Sequence, residues 1–578
     1  MKIIFGHEIK EKLEVEEIIN LILKKRQIAD LKEFLNPPSP LIYNLNFFHS
    51  SFENLFKKTL EILQEVKEKN QMIVVYTDYD ADGITGGAIL WETLYLLGFK
   101  VMPYVPDRKK EGYGFSIRGI DNVIKKFNPS LIISVDHGIT KVKEVRYLKE
   151  KGIKVIITDH HLKTDKVPQA DAIFHIPSLS GSGVAYFFAK EIYQTLKLKI
   201  KNKENLKLLE NNFSLDYQVL SSIGTIADLV ALIGPSRSLV KYGLESFLKT
   251  KRVGIKHILK EAGIEKRKIT PYEVGFIIAP RINAVGRLEN ALDALRLLCT
   301  KKEERAFQLA SYVGEKNRQR QDILEKAVKE AENMVKKTSE GESQEKLIIL
   351  KKENWHEGII GLIASKIAEE FYRPTIVLTK TDGIYKASAR SIPSFHITNF
   401  LRQFKKYLID VGGHEQASGF TLNQGNLEKF IEESVKMAQE EIKDKDLERK
   451  IYVDLKIPLK LVTLDLAKEL EKLYPFGIGN PQPVFLSKGK IHAAKIFGKK
   501  NEHLKLFIKS IDDFPSSLLS KNHLSASSAA LEFLFFNQAS LFPRLSRDQE
   551  VKIIYTLEVD RWGEKENIRG KVIKIIDN

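Results

Sequence analysis

Three short apolar segments, each followed by acidic residues, constrain the fold of this chain more than any other feature. They cover residues 72–76, 131–135 and 155–158, and each has the length of a buried strand. Helical patterns lie between them, at residues 116–127 and 141–150. Alternation of strand and helix is typical of a parallel α/β sheet, so the sequence predicts that fold class here.

The polar residues that follow these strands predict a metal site. The first segment is followed by Asp78, Asp80 and Asp82, the second by Asp136, and the third by Asp159-His160-His161. The carboxyl ends of parallel strands meet at one edge of a sheet, where ligands bind. Carboxylates placed this close together repel one another unless cations lie between them. We therefore expect a hard divalent ion with mixed Asp and His ligands.

An acidic turn in solvent and a calcium loop are the alternatives for the first acidic motif. An EF-hand loop that begins at Asp78 would need a glutamate at its twelfth position, and that position is Ile89. The calcium-loop interpretation therefore fails, whereas the acidic turn stays open on this motif alone.

Composition excludes several classes of protein. The chain has 578 residues, enough for several domains, and a single cysteine, Cys299, which rules out a disulfide framework. Its opening apolar run is too short for a signal peptide and no segment reaches membrane-spanning length, so we expect a cytoplasmic protein. The net charge of +17 favours a polyanionic partner such as nucleic acid, although a lysine-rich composition bias produces the same charge.

Further candidate residues lie between the strands and beyond them. Arg108 and the glycine-flanked Tyr113 suit a nucleic-acid site, with a guanidinium for phosphate and a ring for base stacking, and a turn with an exposed tyrosine is the alternative. Asp228 is either a helix cap or a further metal ligand.

Residues 280–288 contain two arginines and an amide close to the predicted cleft, where such groups fix phosphates by charge-assisted hydrogen bonds. We expect Arg281 and Asn283 to bind substrate and Arg287 to brace the fold.

A second α/β module is predicted at residues 345–445, with strands at 347–350 and 375–378. Its candidate substrate-binding residues are Gly412, Gly413 and His414. Glycines allow a backbone to approach a ligand closely. A lone histidine is more often part of a core, but these flanking glycines favour a site.

Two other regions complete the chain. Residues 301–343 carry apolar positions at helical spacing and predict a long helix. Segments of alternating polarity near the C-terminus, such as 451–455 and 551–555, predict short strands in a small antiparallel barrel. Residues 514–545 match no pattern.

With these motifs in place, the chain resembles the DHH phosphoesterase superfamily, whose motif is Asp159-His160-His161 here, and within it the RecJ exonucleases. Thr77 departs from the glycine of the family pattern, yet no ligand is lost. The resemblance implies two ions of Mn²⁺ or Mg²⁺, held by Asp78, Asp80, Asp82, Asp136, His160 and Asp228, with Asp136 bridging. It also implies that Asp159 either supports His160 or joins the ligands.

The resemblance further implies how a substrate is held. Arg108, Ser388 and Arg390 match residues that hold a terminal 5′ phosphate. Because adjacent side chains diverge, we expect His161 to contact the scissile phosphate and protonate the leaving oxygen while His160 binds metal. A DHHA1-like second domain and a C-terminal OB fold that binds single strands are also implied.

The activity implied is metal-dependent 5′→3′ hydrolysis of single-stranded DNA in repair and recombination. A monomer is expected, with a single-strand-binding protein and a helicase as partners and no membrane. The alternatives are a DHH-type phosphodiesterase for short oligonucleotides, cyclic dinucleotides or pyrophosphate, and a non-catalytic single-strand-binding scaffold. Chain length and the predicted barrel disfavour the first, and the complete set of acidic and histidine positions disfavours the second.

Five segments are predicted on this basis. They are a helical lead-in at residues 1–60, a catalytic domain at 61–300, a connecting helix at 301–343, a DHHA1-like domain at 344–446 and an OB-fold-like domain at 447–578.

Overall fold

We describe the chain from a computed structural model, over residues 2–8, 14–338, 345–381, 383–511, 530–561 and 566–577. The end of the predicted long helix beyond Thr338 lies outside these described residues, as do residues 514–529 of the unexplained stretch. Within the described part, no helix combines the length and the apolar character needed to cross a membrane.

The N-terminal segment contributes to both ends of the molecule. Its elements are β1 (Lys2–Glu8), α1 (Val15–Lys25), α2 (Leu31–Leu35), α3 (Leu45–Phe48) and α4 (Phe52–Glu68). The predicted helical lead-in therefore starts with a strand, which pairs in parallel with a C-terminal strand. The apolar face of α1 packs into the C-terminal core, whereas that of α4 packs against the catalytic sheet, so the segment links the two.

A five-stranded sheet forms the catalytic module, and all of its strand pairs are parallel, which confirms the predicted fold class. Its strands are β2 (Ile73–Thr77), β3 (Val101–Tyr104), β4 (Leu131–Val135), β5 (Lys154–Asp159) and β6 (Ala172–His175). Every residue of β2 and β4 is buried because helices cover both faces. The strand order is β3-β2-β4-β5-β6, so a crevice opens between the carboxyl ends of β2 and β4.

Eleven helices of the described chain surround or extend this sheet. They are α5 (Ala81–Leu96), α6 (Ile117–Phe127), α7 (Val142–Glu150), α8 (Gly181–Leu196), α9 (Lys203–Asn211), α10 (Tyr217–Ala227), α11 (Gly234–Ser246), α12 (Val253–Glu261), α13 (Pro271–Glu273), α14 (Ala279–Leu288) and α15 (Leu292–Cys299). A π-helical turn at Val274–Ile278 joins α13 to α14.

Thr77, the one departure from the family pattern, is accommodated by a glycine on the facing helix. Its side chain is fully buried and its hydroxyl donates to the carbonyl of Asp78 at 2.8 Å. A Cβ atom at Gly87 of α5 would lie 2.1 Å from the Thr77 methyl carbon. The larger residue on the strand therefore requires the smallest residue on the helix.

The second module is a five-stranded mixed sheet in the order β10-β11-β9-β8-β7, with only β7 and β8 parallel. The 36-residue helix α16 (Glu303–Thr338) precedes it. Its elements are β7 (Ile348–Lys351), α17 (Ile360–Phe371), β8 (Thr375–Thr381), β9 (Ile384–Arg390), α18 (Ile397–Arg402), β10 (Leu408–Gly413), β11 (Ala417–Asn423) and α19 (Leu427–Glu441). Because α16 packs on the catalytic module and on α17, it couples the two modules.

The C-terminal module is a closed five-stranded barrel, in keeping with the predicted OB fold. Its elements are β12 (Lys450–Lys456), α20 (Leu464–Glu471), β13 (Phe485–Phe497), β14 (His503–Ser510), β15 (Leu531–Phe535), β16 (Glu550–Asp560) and β17 (Asn567–Asp577). The barrel closes because β13 pairs with both β14 and β16. The prediction of a wholly antiparallel barrel is wrong, because β15 and β17 are parallel. β12, which contains the predicted strand at 451–455, lies outside the barrel, between β1 and β13.

Candidate metal centre and substrate cleft

The first acidic motif is fixed by backbone amides at the start of α5. Asp80 caps this helix, and one of its carboxylate oxygens accepts from the amides of Asp82 and Gly83 at 3.0 and 3.1 Å. The Asp82 carboxylate accepts from the amides of Gly181 and Ser182 at the start of α8, at 2.6 and 2.9 Å. The motif therefore ties two helix N-termini to the crevice, which favours negative charge there.

Asp136 follows β4 and lies at the centre of the crevice. Its backbone is left-handed, with φ of 68°. The start of α8 approaches so closely that a Cβ atom at Gly181 would lie 2.4 Å from Asp136 Oδ1. A side chain at position 181 would therefore displace this carboxylate.

Two adjacent histidines follow β5, and their ring centres lie 4.6 Å apart. His160 Nε2 lies 3.1 Å from Asp136 Oδ1 and 3.4 Å from Asp228 Oδ2. His161 Nδ1 pairs with Asp159 Oδ1 at 2.8 Å, and its Nε2 lies 3.0 Å from the Tyr113 hydroxyl. His160 thus faces the carboxylates, and His161 faces the open side of the cleft.

Asp159 is saturated by hydrogen bonds. Besides the His161 ring, its carboxylate accepts from the amides of Ile139, His160 and His161 at 2.7 to 3.1 Å. These bonds orient the His161 ring rather than that of His160. Of the two roles implied for Asp159, this geometry favours support over direct ligation.

The remaining carboxylate and imidazole atoms converge in three overlapping groups. Within each group, the candidate ligand atoms lie within 4.8 Å of one another. The groups are Asp78, Asp80 and Asp136; Asp82, His160 and Asp228; and Asp136, His160 and His161. Asp136 belongs to two groups, in keeping with a bridging position.

These residues fit a divalent metal. Asp78 Oδ1, Asp136 Oδ1 and His160 Nε2 are buried, and no hydrogen-bond partner occurs for them among the described residues. Burial, together with the neighbouring carboxylates, raises the pKa of Asp78, Asp80 and Asp136, and raises that of Asp228 to about 8. These clustered carboxylates and unpaired ligand atoms lack a compensating cation, and Mn²⁺ or Mg²⁺ would supply that charge.

The two histidines differ in protonation. Burial lowers the pKa of His160, so its ring is neutral and suited to bind metal. Burial also opposes protonation of His161, but the hydrogen bond and charge of Asp159 outweigh it and raise the pKa of His161 to about 9. At neutral pH the His161 ring is therefore a cation.

A group of arginines lies beside the acidic centre. The Arg108 guanidinium lies 5.2 Å from the centre of the Tyr79 ring. Arg390, at the end of β9, donates to the Ser388 hydroxyl at 3.0 Å. Burial and then the charge of Arg108 lower the pKa of Arg390, so the two cations are close enough to repel. An anion between them would relieve that repulsion.

We expected Arg281 to bind substrate and Arg287 to brace the fold, but the contacts of the two side chains favour the reverse. Arg281 pairs at 2.7 Å with Glu261, which it shares with Arg318, and also donates to the Ile277 carbonyl. For Arg287, burial and the charges of Arg108 and other nearby arginines lower the pKa to about 9. Arg287 therefore belongs to the cationic group, although it also donates to the Gly358 carbonyl of the second module at 3.0 Å.

Asn283 and Arg320 also differ from what the sequence indicates. The Asn283 side chain accepts from the Ala81 amide at 2.7 Å, so it braces the acidic loop in this structure. Arg320, which the sequence does not single out, adds charge next to Arg287. No local pattern reveals Arg320, because it lies within a long run of charged residues on α16.

The second module brings His414 to the cleft. The His414 and His161 ring centres are 5.8 Å apart. Gly413 has φ of 148°, and a Cβ atom there would lie 2.2 Å from the Ala417 carbonyl, so this turn requires glycine. A Cβ atom at Gly412 would meet nothing within 4 Å, which leaves open space beside His414.

Three family models match the chain. Residues 72–211 match the DHH family N-terminal domain, residues 344–444 the DHHA1 domain and residues 453–574 the RecJ OB domain.

Similar proteins agree with these matches. The single-stranded-DNA-specific exonuclease RecJ of Haemophilus influenzae is 30% identical over 571 residues, which cover 94% of this chain and 93% of that protein. The Bacillus subtilis protein of the same name is 32% identical over 531 residues, and the match spans 90% of this chain but only 63% of that longer relative.

A solved structure agrees as well. The crystal structure of RecJ in complex with Mn²⁺ from Thermus thermophilus superposes with a TM-score of 0.78 at 26% identity, over 100% of this chain and 80% of that one. The metal-binding side chains, the three matched domains and the relatives lead to one conclusion: the chain belongs to the RecJ family of single-stranded-DNA-specific exonucleases.

Proposed function

We propose that this chain hydrolyses single-stranded DNA from its 5′ end with the help of two divalent ions, Mn²⁺ or Mg²⁺. The observation that carries the proposal is the position of Asp136, which shares a group of ligand atoms with Asp78 and Asp80 and lies 3.1 Å from His160 of a second group, next to a cluster of arginines. Bound divalent ions would activate a water molecule and neutralise the charge of the phosphate oxygens.

One ion would be held by Asp78, Asp80 and Asp136, and the other by Asp82, His160 and Asp228, with Asp136 bridging. Asp82 is also fixed by two amides of α8, so the second position is anchored to the scaffold. Asp159 would keep the His161 ring in place through the bond to Nδ1.

His161 would contact the scissile phosphate and donate a proton to the leaving oxygen. Its Nδ1 is occupied by Asp159, so Nε2, which lies near the Tyr113 hydroxyl and the open side of the cleft, faces the substrate. His414 would reach the same phosphate from the second module, and the open space at Gly412 leaves room for the strand.

The arginines would determine the direction of hydrolysis, from the 5′ end. Arg108, Arg390 and Ser388 would bind a terminal 5′ phosphate, because a dianion between the two arginines would relieve their repulsion and Ser388 already contacts Arg390. We add Arg287 to this phosphate site and assign Arg281 and Asn283 to its support.

The other expectations stand as parts of the same proposal. The domain boundaries predicted from the sequence stay part of the proposal, except that the one at residue 60 falls within α4. The barrel would bind the strand beyond the cleft. A cytoplasmic monomer that works with a single-strand-binding protein and a helicase is supported by the family resemblance.

An oligonucleotide labelled separately at each end tests the proposal, with Mn²⁺, Mg²⁺ or a chelator. We expect immediate release of the 5′-terminal mononucleotide, which a chelator or a duplexed 5′ end abolishes. Tight strand binding without product under any metal would instead support the scaffold, and cleavage restricted to very short oligomers would support a smaller DHH-type enzyme.

Replacement of Asp80 and Asp82 by alanine gives the matched test of the metal site. Because these carboxylates lie in different ligand groups, we expect hydrolysis to be lost while strand binding is retained. Unchanged turnover would refute the assignment.

A further inference from the structure

An aromatic pair lies exposed on the surface next to the catalytic module. The rings of Tyr272 and Phe276 stack with centres 5.0 Å apart and planes at 28°. Tyr272 is 61% exposed and Phe276 71% exposed. Large aromatic side chains that remain in water next to each other mark an interaction site.

The segment that carries the pair packs against α10, the helix that ends next to Asp228. A Cβ atom at Gly275, between the two aromatics, would lie 3.7 Å from Ile226 of α10, two residues before Asp228. The next residue, Leu229, is exposed and lines a cavity of about 740 Å³ that also includes Arg390. Residues just before and just after Asp228 therefore contact the segment of the aromatic pair and the cavity that includes Arg390.

The surroundings of the pair favour a polyanion. Residues 266–268, a run of Lys-Arg-Lys, are exposed immediately before α13. The Lys268 ammonium lies 5.4 Å from the Tyr474 ring, which belongs to the segment that leads into the barrel. Of the nearby acids, Glu273 is engaged by the amide and hydroxyl of Thr270, whereas Glu265 is exposed to solvent. Stacked rings amid cations are what single-stranded nucleic acids bind.

We propose that Tyr272 and Phe276 form a stacking platform for one or two bases of the strand on the 3′ side of the scissile bond. This inference rests on the proposed function. If the 5′ phosphate is bound by the arginines, the rest of the strand would continue past Asp228 towards the aromatic pair. Stacking on a ring is tolerant of base identity, so the platform would hold any sequence while the cleft advances.

The test is equilibrium binding in the presence of chelator, where no hydrolysis occurs. The probes are fluorescent, 5′-phosphorylated oligothymidylates that each carry one abasic residue at a different position. For the unmodified chain we expect binding to weaken roughly 5- to 150-fold at one or two adjacent positions, and much less elsewhere.

The variant Tyr272→Ala/Phe276→Ala should bind the intact oligonucleotide more weakly by a similar factor and should lose the dependence on abasic position. Phe307→Ala is the matched control, because Phe307 is 57% exposed on α16 and lies outside this surface. Both variants change exposed side chains, so we expect wild-type unfolding temperatures.

The platform would be refuted if the double variant bound the intact oligonucleotide as tightly as Phe307→Ala does. It would also be refuted if the double variant kept the dependence of binding on abasic position. Such a result alongside normal 5′ release by the unmodified chain would leave the proposed function intact. Conversely, absence of hydrolysis with any metal would refute the nuclease and not the binding profile.

Discussion

Replacement of Arg390 by methionine removes one cation from the proposed 5′-phosphate site and keeps most of the side-chain volume. Arg390 donates to the Ser388 hydroxyl at 3.0 Å and to the Ala389 carbonyl at 2.8 Å. Burial and the charge of Arg108 already lower its pKa, so the guanidinium carries an electrostatic cost in the absence of an anion. Its removal should therefore affect phosphate binding far more than folding.

The magnitude follows from the type of bond lost. A hydrogen bond to a charged group contributes about 1.5–3 kcal/mol. Since about 1.4 kcal/mol corresponds to a factor of ten, the loss is roughly 10- to 150-fold. We expect the ratio of kcat/KM for a 5′-phosphorylated over a 5′-hydroxyl oligonucleotide to fall by this factor in Arg390→Met, with no decrease in unfolding temperature.

The assay compares initial rates on the two oligonucleotides, with Mn²⁺ in excess. Arg402→Met serves as the matched control, because Arg402 is exposed on α18 of the same module. A preference for the 5′ phosphate that survives in Arg390→Met would refute the assignment, as would an equal loss in Arg402→Met.

Two further predictions concern packing and charge inside the catalytic module. Gly87→Ala should lower the free energy of unfolding in urea by about 1–3 kcal/mol, because the added methyl group meets Thr77. Adding Thr77→Gly to this variant should recover most of that loss. Equal stability of the single and double variants would contradict this contact. Glu92→Gln should cost about 3–5 kcal/mol, because the buried Arg252, 2.5 Å from Glu92, would then lose its paired carboxylate and keep the weaker attraction of Asp216. Glu92→Gln/Arg252→Met should cost less than the single variant, and a larger cost would count against the buried pair.

Much of the catalytic sheet could be predicted because its strands are buried on both faces. A strand covered on both sides must be largely apolar, and residues 73–77 and 131–135 satisfy this apart from Thr77 and Ser134. Acidic residues follow both strands. The parallel arrangement then brings Asp78 and Asp136 together without any knowledge of distant contacts.

Other features depend on contacts between residues far apart in the sequence. The pairing of β1 with β12 joins residues that are far apart in the sequence, such as Lys2 and Lys450, and neither strand carries a local sign of its partner. Arg281 and Arg287 lie on one helix with equal charge, so only the position of Glu261 decides which of them pairs with this carboxylate. The role of Asn283 likewise depends on where the Ala81 amide lies.

The number of metal ions bound per chain tests the central claim most directly. Equilibrium dialysis against Mn²⁺, followed by elemental analysis, should give two ions per chain for the unmodified protein. Asp136 belongs to the ligand group of Asp78 and Asp80, and its Oδ1 lies 3.1 Å from His160 Nε2 of the other group. Asp136→Asn should therefore weaken both sites, whereas Asp228→Asn should weaken only one. A single ion in the unmodified chain, or full occupancy in Asp136→Asn, would contradict the shared metal centre.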